Sequence, residues 1–304
     1  MKKASKAENR RLGLTGLFVL GSNAYLKGFR FGTIYQGPLK KICVPGLNCY
    51  ACPGALFSCP IGSLQNSLYD RNQLLPFYVL GFLFLFGSLL GRAVCGLLCP
   101  FGWLQDLLSK IPLKKIRPEQ RWPKLDRAAR KIKYFNLFVL ALMLPLAGRW
   151  FLGLMAPWFC KLVCPSGLVF GGWPLVARNL SLRANAGVFF IWKSFLAIFF
   201  LGSSIRIPRF FCRYFCPLGA FYGFFNRFAL YRLRFEKSSC ISCSACTKAC
   251  PMGIKMPEGH QSMECIRCGR CADHCPTSCL HCGVKDRAIE SGSERNASQS
   301  EFHA

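Results

Sequence analysis

Cys240, Cys243, Cys246 and Cys250 are spaced C-x2-C-x2-C-x3-C, with Pro251 after the last of them. The pattern returns at Cys265, Cys268, Cys271 and Cys275, followed by Pro276. Three thiolates at this spacing wrap three irons of a cubane, and the fourth ligand of each cluster comes from the other run. One [4Fe–4S] cluster therefore takes Cys240, Cys243, Cys246 and Cys275. A second takes Cys250, Cys265, Cys268 and Cys271. The proline after each run turns the chain away and removes an N–H. A pair of zinc ribbons is the competing reading, because C-x2-C repeats also bind zinc. Zinc has no use for a third x2 spacing followed by x3-Cys-Pro. Cys279 and Cys282 lie just beyond the second run. Cys279 is expected to pack against a cluster as a small apolar residue, with a further metal site as the alternative.

Three Cys-x3-Cys-Pro pairs precede these runs: Cys95/Cys99, Cys160/Cys164 and Cys212/Cys216. Cysteines at i and i+4 share a helix face, so each pair can present two thiolates together. Cys95, Cys99, Cys212 and Cys216 make four ligands, the number a third cluster needs. A fourth could draw on Cys49, Cys52, Cys59, Cys160 and Cys164, with Cys43 also nearby in sequence. Disulfides are the alternative there if that side is oxidising. Arg92, Lys161, Arg209 and Arg213 lie close to these thiols in sequence, and cations beside an anionic cubane would stabilise it and raise its potential. For Arg209 and Arg213 a charge bias at a membrane end explains as much.

The elements that must position these thiols read as membrane helices. The chain has 304 residues, 20 of them Cys, with 52% apolar and 17% charged residues and a formal charge of +27. Disulfide scaffolds of such cysteine content are small and secreted. Apolar stretches run from Leu12 to about Leu26 (extendable to Tyr35), Leu74 to Leu90, Ile132 to Leu154 and Ala186 to Ser203. A fifth, Phe210 to Leu230, is dotted with Arg and reads as interfacial. A cleaved signal peptide ending near Ser22-Asn23-Ala24 is the alternative for the first stretch. Lys and Arg number eleven from Arg92 to Lys133, seven from Arg206 to Lys237 and five in the first eleven residues. The connections Lys27 to Arg71 and Arg149 to Arg183 hold five and four. That bias puts both ends in the cytoplasm. Lys193 and Arg149 are intramembrane charges and functional suspects, although snorkelling explains Arg149 well.

Cys-Pro-x-Gly elements at Cys59, Cys99 and Cys216, and Cys-Pro-Ser-Gly at Cys164, flank the second and fourth spans. The expected architecture is therefore mainly α, a duplicated four-helix transmembrane bundle (five or six helices with the interfacial segment), followed by a small α+β two-cluster ferredoxin domain. Its divisions are a basic N-terminus 1–11, a first membrane repeat 12–92 (spans 12–35 and 74–92) with an extracytoplasmic Cys-rich loop 36–73, and a cytoplasmic segment 93–131. A second repeat 132–230 follows (spans 132–154 and 186–204, interfacial helix 208–230), then the ferredoxin domain 236–284 and a disordered tail 285–304.

Absences narrow the chemistry. His260, His274, His281 and His303 are the only histidines, so no span offers a ligand for haem b. No Asp or Glu lies between Asp126 and Glu236, so the last two spans hold no carboxylate relay. No G-x-G-x-x-G follows a strand, which removes the usual NAD or flavin signal. The basic residues hug the span ends and form no aromatic-interleaved nucleic-acid patch.

Cys95-Gly96-Leu97-Leu98-Cys99-Pro100, Cys212-Arg213-Tyr214-Phe215-Cys216-Pro217 and the double run from Cys240 to Pro276 resemble the NapH family of membrane-bound polyferredoxins, with relatives in nitrous oxide reductase and cytochrome oxidase maturation systems. The likeness spans about Asn48 to Thr277. It implies four or more membrane helices in the inner (cytoplasmic) membrane and [4Fe–4S] clusters on the cytoplasmic side. It also implies electron supply from quinol, or across the membrane to a partner reductase complex. The Cys43 to Cys59 group and Cys160/Cys164 exceed the family's two Cys-x3-Cys-Pro motifs, and the large flavin-binding domain of the nitrous oxide relatives is not evident. The reading is an electron-transfer subunit between a quinone pool or cytoplasmic donor and a partner enzyme. A quinol dehydrogenase with its own quinone site, and a redox-sensing or maturation factor, are the alternatives. About 30 Å of hydrocarbon is expected to separate the cysteine groups of the two membrane faces, a gap that a bound quinone or clusters embedded below the membrane surface would have to close.

Overall fold

Proline sets where the helices beside the cysteines begin. Pro60, Pro100, Pro165 and Pro217 open the helices Pro60–Tyr69, Pro100–Leu108, Pro165–Gly167 and Pro217–Phe225. A residue with no N–H and a fixed φ is tolerated in the first turn and breaks a helix further in. The residue before proline is pushed out of the helical region. Cys99, Cys164 and Cys216 accordingly have ψ of 115°, 114° and 113°. Each Cys-x3-Cys pair thus straddles a break: Ala93–Leu97 precedes Cys99, Trp158–Leu162 precedes Cys164 and Phe210–Tyr214 precedes Cys216. The expected single helix 208–230 is for this reason two helices.

The computed structural model describes residues 6–69, 77–148 and 156–284. Residues 1–5, Arg149, the outer ends of the expected spans at 74–76 and 149–154, and the tail 285–304 with His303 lie outside them. The chain is mainly helical. Among the described residues one helix, Val188–Arg206, is long and apolar enough to cross a membrane, and Phe77–Leu90 is a shorter apolar helix. The expected first span is two helices, Lys6–Ser22 and Leu26–Phe31, parted at Asn23. The third is a continuous run of Ile132–Phe135, the π-helical Asn136–Met143 and Leu144–Ala147. The four-span bundle expected from composition is therefore matched in full length at one helix. Several helices still turn apolar stripes outward. Val188, Ile191, Phe195 and Ile198 are 62% to 81% exposed, and Leu14, Leu17, Phe84, Phe135 and Phe138 are exposed as well.

The first part of the segment expected as an extracytoplasmic loop, 36–73, turns into the protein, and residues 70–73 lie outside the described residues. Residues 43–48 are buried. A Cβ built on Gly46 would lie 2.7 Å from the Leu98 carbonyl and 2.8 Å from Cys99 Cα, so only glycine permits the approach.

The C-terminal segment is closed by an antiparallel pair, β1 (Arg232–Phe235) and β2 (Leu280–Gly283), with Leu233 opposite Cys282. Inside it the two cysteine runs match in backbone as well as in spacing. Ser242 and Arg267, Ser244 and Gly269, and Gly253 and Ser278 hold equivalent places in the two runs, and all six have positive φ. A left-handed residue between ligands reverses the chain so that successive thiols face one point.

Buried ions dock this segment onto the helices. Glu264 accepts from Arg92 (2.7 Å) and from Lys133. Asn226 Nδ2 donates to the carbonyls of Ser262 (3.0 Å) and Cys265 (2.7 Å), while its Oδ1 accepts the Arg92 N–H. Arg267 reaches back to the carbonyls of Leu90, Tyr231 and Asn226.

Candidate metal centres

Of the two groups expected in the double run, one is drawn together around a cavity, and of the other Cys240 and Cys275 are linked through Cys279. Cys250, Cys265, Cys268 and Cys271 line one enclosed cavity with Leu233, Met252 and Ile254. Cys282 sits beside this group, within electrostatic reach of Cys265, Cys268 and Cys271. In the other group Cys275 Sγ lies 3.3 Å from Cys279 Sγ, and Cys279 also meets Cys240. Cys279 therefore packs against the first site, as expected. Cys243 is the single exposed cysteine of the twenty.

A third group forms from the helices. Cys95, Cys99, Cys212 and Cys216 are fully buried neighbours. The Cys-Pro-x-Gly element has a physical reason here. The cysteine stands just ahead of the proline-started helix, and the glycine N–H three residues on points at its sulfur: Gly102 N donates to Cys99 Sγ at 3.4 Å. The same element puts the Gly62, Gly167 and Gly219 N–H groups near the sulfurs of Cys59, Cys164 and Cys216, without a formed bond at Cys164 or Cys216. Leu47 N–H also donates to Cys99 Sγ at 3.4 Å. Of the cations singled out by sequence, Arg92 and Arg209 belong to this group. Arg92 donates to the Cys212 carbonyl (2.9 Å) and Arg209 to the Cys95 carbonyl. Arg213 does not. It turns to Asp126 (2.8 Å) and Glu119 (2.9 Å). Arg209 is held by Asp106, which also takes Arg11 at 2.8 Å. Burial alone would raise the Asp106 carboxyl, yet Arg209 and Arg11 hold it below the ordinary carboxylate range.

A fourth group joins the two halves of the chain. Cys49, Cys59, Cys160 and Cys164 line a cavity of about 250 Å³ together with Leu47, Lys161 and Lys193. Lys193 stands within an apolar helix because its side chain faces this thiol cavity, a placement snorkelling does not explain. Cys52 and Cys43, which were open as ligands, do not line it. Cys52 lies beside Lys40, and the Cys43 N–H bonds Tyr78 Oη at 3.3 Å.

Two glutamines were missed by the sequence reading. Gln65 Nε2 donates to Cys160 Sγ at 3.4 Å, and Gln105 Nε2 donates to Cys212 Sγ at 3.1 Å. Each stands six residues after a Cys-Pro cysteine, so the repeated Cys-Pro-x-Gly-x2-Gln pattern at 59–65 and 99–105 was the available signal.

The groups are close to one another. A Cβ on Gly96 would come 2.5 Å from the Ile266 carbonyl and 3.8 Å from Cys268 Cα, so the backbones of the second and third groups touch. Leu47 spans the third and fourth groups. Its N–H meets Cys99, its carbonyl accepts from Ser166 Oγ at 3.4 Å, and it lines the fourth cavity. The expected separation of about 30 Å is thus overturned, because the buried loop brings one cysteine group next to the other.

The residues suit [4Fe–4S] clusters. Four soft thiolates are the donor set such a cluster takes. Among the described residues no three His, Cys, Asp or Glu close around a single ion. The fourth cavity has room for more than one ion, and the buried Asn48 Nδ2 beside Cys49 has no protein partner. Cations and N–H donors surround the sulfurs, as an anionic cluster requires.

Comparison with known proteins agrees with this donor set. Residues 72–119 and 188–238 match a 4Fe-4S binding domain family, and residues 232–276 match a 4Fe-4S dicluster domain family. An uncharacterized protein of Methanocaldococcus jannaschii is 34% identical over 56% of this chain and 63% of its own length. MauN, a methylamine utilization ferredoxin-type protein of Paracoccus denitrificans, is 28% identical over 53% of this chain and 48% of its own. NosR, a regulatory protein of Stutzerimonas stutzeri, is 28% identical over 56% of this chain and 21% of its own. The chain spans less than two thirds of the length of each of these relatives. No solved structure matches it. The double cysteine run, the thiol groups around it and these matches together show that the chain carries ferredoxin-type [4Fe–4S] binding domains similar to those matched in MauN and NosR.

Proposed function

We propose that the chain is a membrane-bound iron–sulfur electron-transfer protein that serves between a quinone pool or cytoplasmic donor and a partner redox enzyme. The observation that carries this reading is the adjacency of three four-thiol groups. The Cys250/Cys265/Cys268/Cys271 cavity, in the segment that also holds the exposed Cys243, touches the Cys95/Cys99/Cys212/Cys216 group, and that group meets the cavity of Cys49, Cys59, Cys160 and Cys164. A [4Fe–4S] cluster bound at each would hold and release one electron.

The chain's own residues supply position, potential and insulation. Gly96 lets the ferredoxin segment seat its Cys268 turn against Cys95. Leu47 fills the space between the two helical groups and keeps water out. Arg92, Arg209 and Lys193 place fixed positive charge beside the thiolates, which favours the reduced, more anionic state. The outward stripes on Val188–Arg206, Phe77–Leu90 and Lys6–Ser22 would face lipid, since apolar area so exposed marks a membrane or partner surface. The cytoplasmic face is then the side of the ferredoxin segment, following the basic excess of residues 92–133.

Iron and sulfide analysis of anaerobically purified chain, with low-temperature EPR, tests the reading. About sixteen irons per chain are expected. About eight would confine the clusters to the double run and remove the relay, and zinc in place of iron would end it. Addition of a quinol analogue to the oxidised protein then tells whether quinol reduces the clusters without a partner.

A further inference from the structure

Gln65 and Gln105 occupy the same place in the two helical thiol groups. Both side chains are fully buried. Gln65 Oε1 accepts the Phe159 N–H at 3.0 Å, and Phe159 directly precedes Cys160. Gln105 Oε1 accepts the Phe211 N–H at 3.1 Å, and Phe211 directly precedes Cys212. Each Nε2 donates to the sulfur of that first cysteine. The orientation of a glutamine amide follows from its partners. A backbone N–H can only donate, so the oxygen must face it and the NH2 must face the sulfur. The second N–H of each amide bonds the carbonyl one turn back, Ile61 for Gln65 (3.2 Å) and Phe101 for Gln105 (3.4 Å). The two environments differ in one respect: the N···S distance at Gln105 is the shorter of the two. Ser204 Oγ lies 3.3 Å from Gln105 Oε1 but gives its one proton to the Phe200 carbonyl at 2.7 Å.

We propose that Gln65 and Gln105 are the potential-setting residues of the two helical sites, each holding the first cysteine of a Cys-x3-Cys pair and directing an N–H at its sulfur. The proposal rests on the reading that these groups bind clusters. An N–H aimed at a ligand sulfur stabilises the added electron and raises the reduction potential. Both carboxamides are neutral, buried and bonded on both ends, so the donor keeps its aim in either redox state. Gln105, closer to its sulfur, has the larger effect. The two sites thus differ in potential although their cysteine patterns are alike.

The test is an EPR-monitored redox titration of full-length chain, wild type beside Gln105→Leu and Gln65→Leu, with iron counted in each sample. The expected result is unchanged iron and a lowered potential for one component in each Leu variant. The larger shift belongs to Gln105→Leu. Unchanged potentials at full iron content would overturn the role of the glutamines while leaving the clusters in place. Wild-type protein with about eight irons would instead remove the underlying reading. If Gln105→Leu loses its cluster, Gln65→Leu decides; if both do, pulsed EPR of reduced wild type carrying 15N in its glutamine amides decides, and no 15N coupling to the helical clusters overturns the proposal.

Discussion

In the ferredoxin segment, seven residues from Cys265 to Cys271 carry three thiols of one site, and left-handed residues between them do the turning. In the helical region, Cys49 and Cys59 come from a buried loop while Cys160 and Cys164 come from a helix pair of the other half, meeting around one cavity. The first kind of site is written into a short stretch of backbone. The second exists only when two halves of the chain are packed. The consequence is a different dependence on iron. The ferredoxin segment has two four-residue strands and short helices around its thiols, too little apolar core to hold itself together without a cluster. The helical sites rest on glycine contacts, glutamine bonds and buried ions that persist when iron is gone.

Chelation under anaerobic, reducing conditions tests this contrast most strongly. Iron removal should open residues 236–284 to protease while most helical circular dichroism survives. Equal collapse of both regions would erase the distinction. Single ligands sharpen it. Cys268→Ser should lose about four irons and expose the ferredoxin segment to protease, whereas Cys216→Ser should lose a similar number with the fold intact, read by iron content and limited proteolysis. Asp106 joins Arg11 from the first helix to Arg209 beside the third thiol group, almost out of reach of water. Removing one partner of such a buried set leaves uncompensated charge, so Asp106→Asn should cost about 3–5 kcal/mol in thermal or denaturant unfolding. Gly96→Ala puts a methyl against the Ile266 backbone. It should cost about 1–3 kcal/mol, the usual range for overpacking, and slow electron exchange between the ferredoxin segment and the helical sites in stopped-flow. The smallest effect is expected at Ser244 and Ser278, which hold positive φ where the partner run has glycine. Glycine at either place should stabilise the segment by about 1 kcal/mol, read as a higher midpoint of cluster loss on heating.

The expected members of the ferredoxin pair were legible in the sequence by itself, because spacing alone brings thiols together when the turns between them are a few residues long. The sequence also determined the helix breaks, since proline fixes them locally, and the repeated Cys-Pro-x-Gly elements. Cysteine spacing fixed the four members of the third group as well, through pairing of two like motifs. It left the fourth group two choices too wide, with Cys43 and Cys52 undecided, because Cys43, Cys49, Cys52 and Cys59 share a loop whose path no periodicity describes. That path was decided by packing. The loop enters the protein at Gly46 and Leu47, sets the fourth cavity beside the third and abolishes the gap that hydropathy implied. Hydropathy reports how apolar a stretch is, while helix length depends on where glycine, proline and cysteine interrupt it. Four apolar stretches therefore yielded one helix of spanning length among the described residues. The partners of the charges were likewise tertiary. Arg92, Arg209 and Arg213 look alike in sequence, yet only the first two face the thiols, because Asp126 and Glu119 draw the third away.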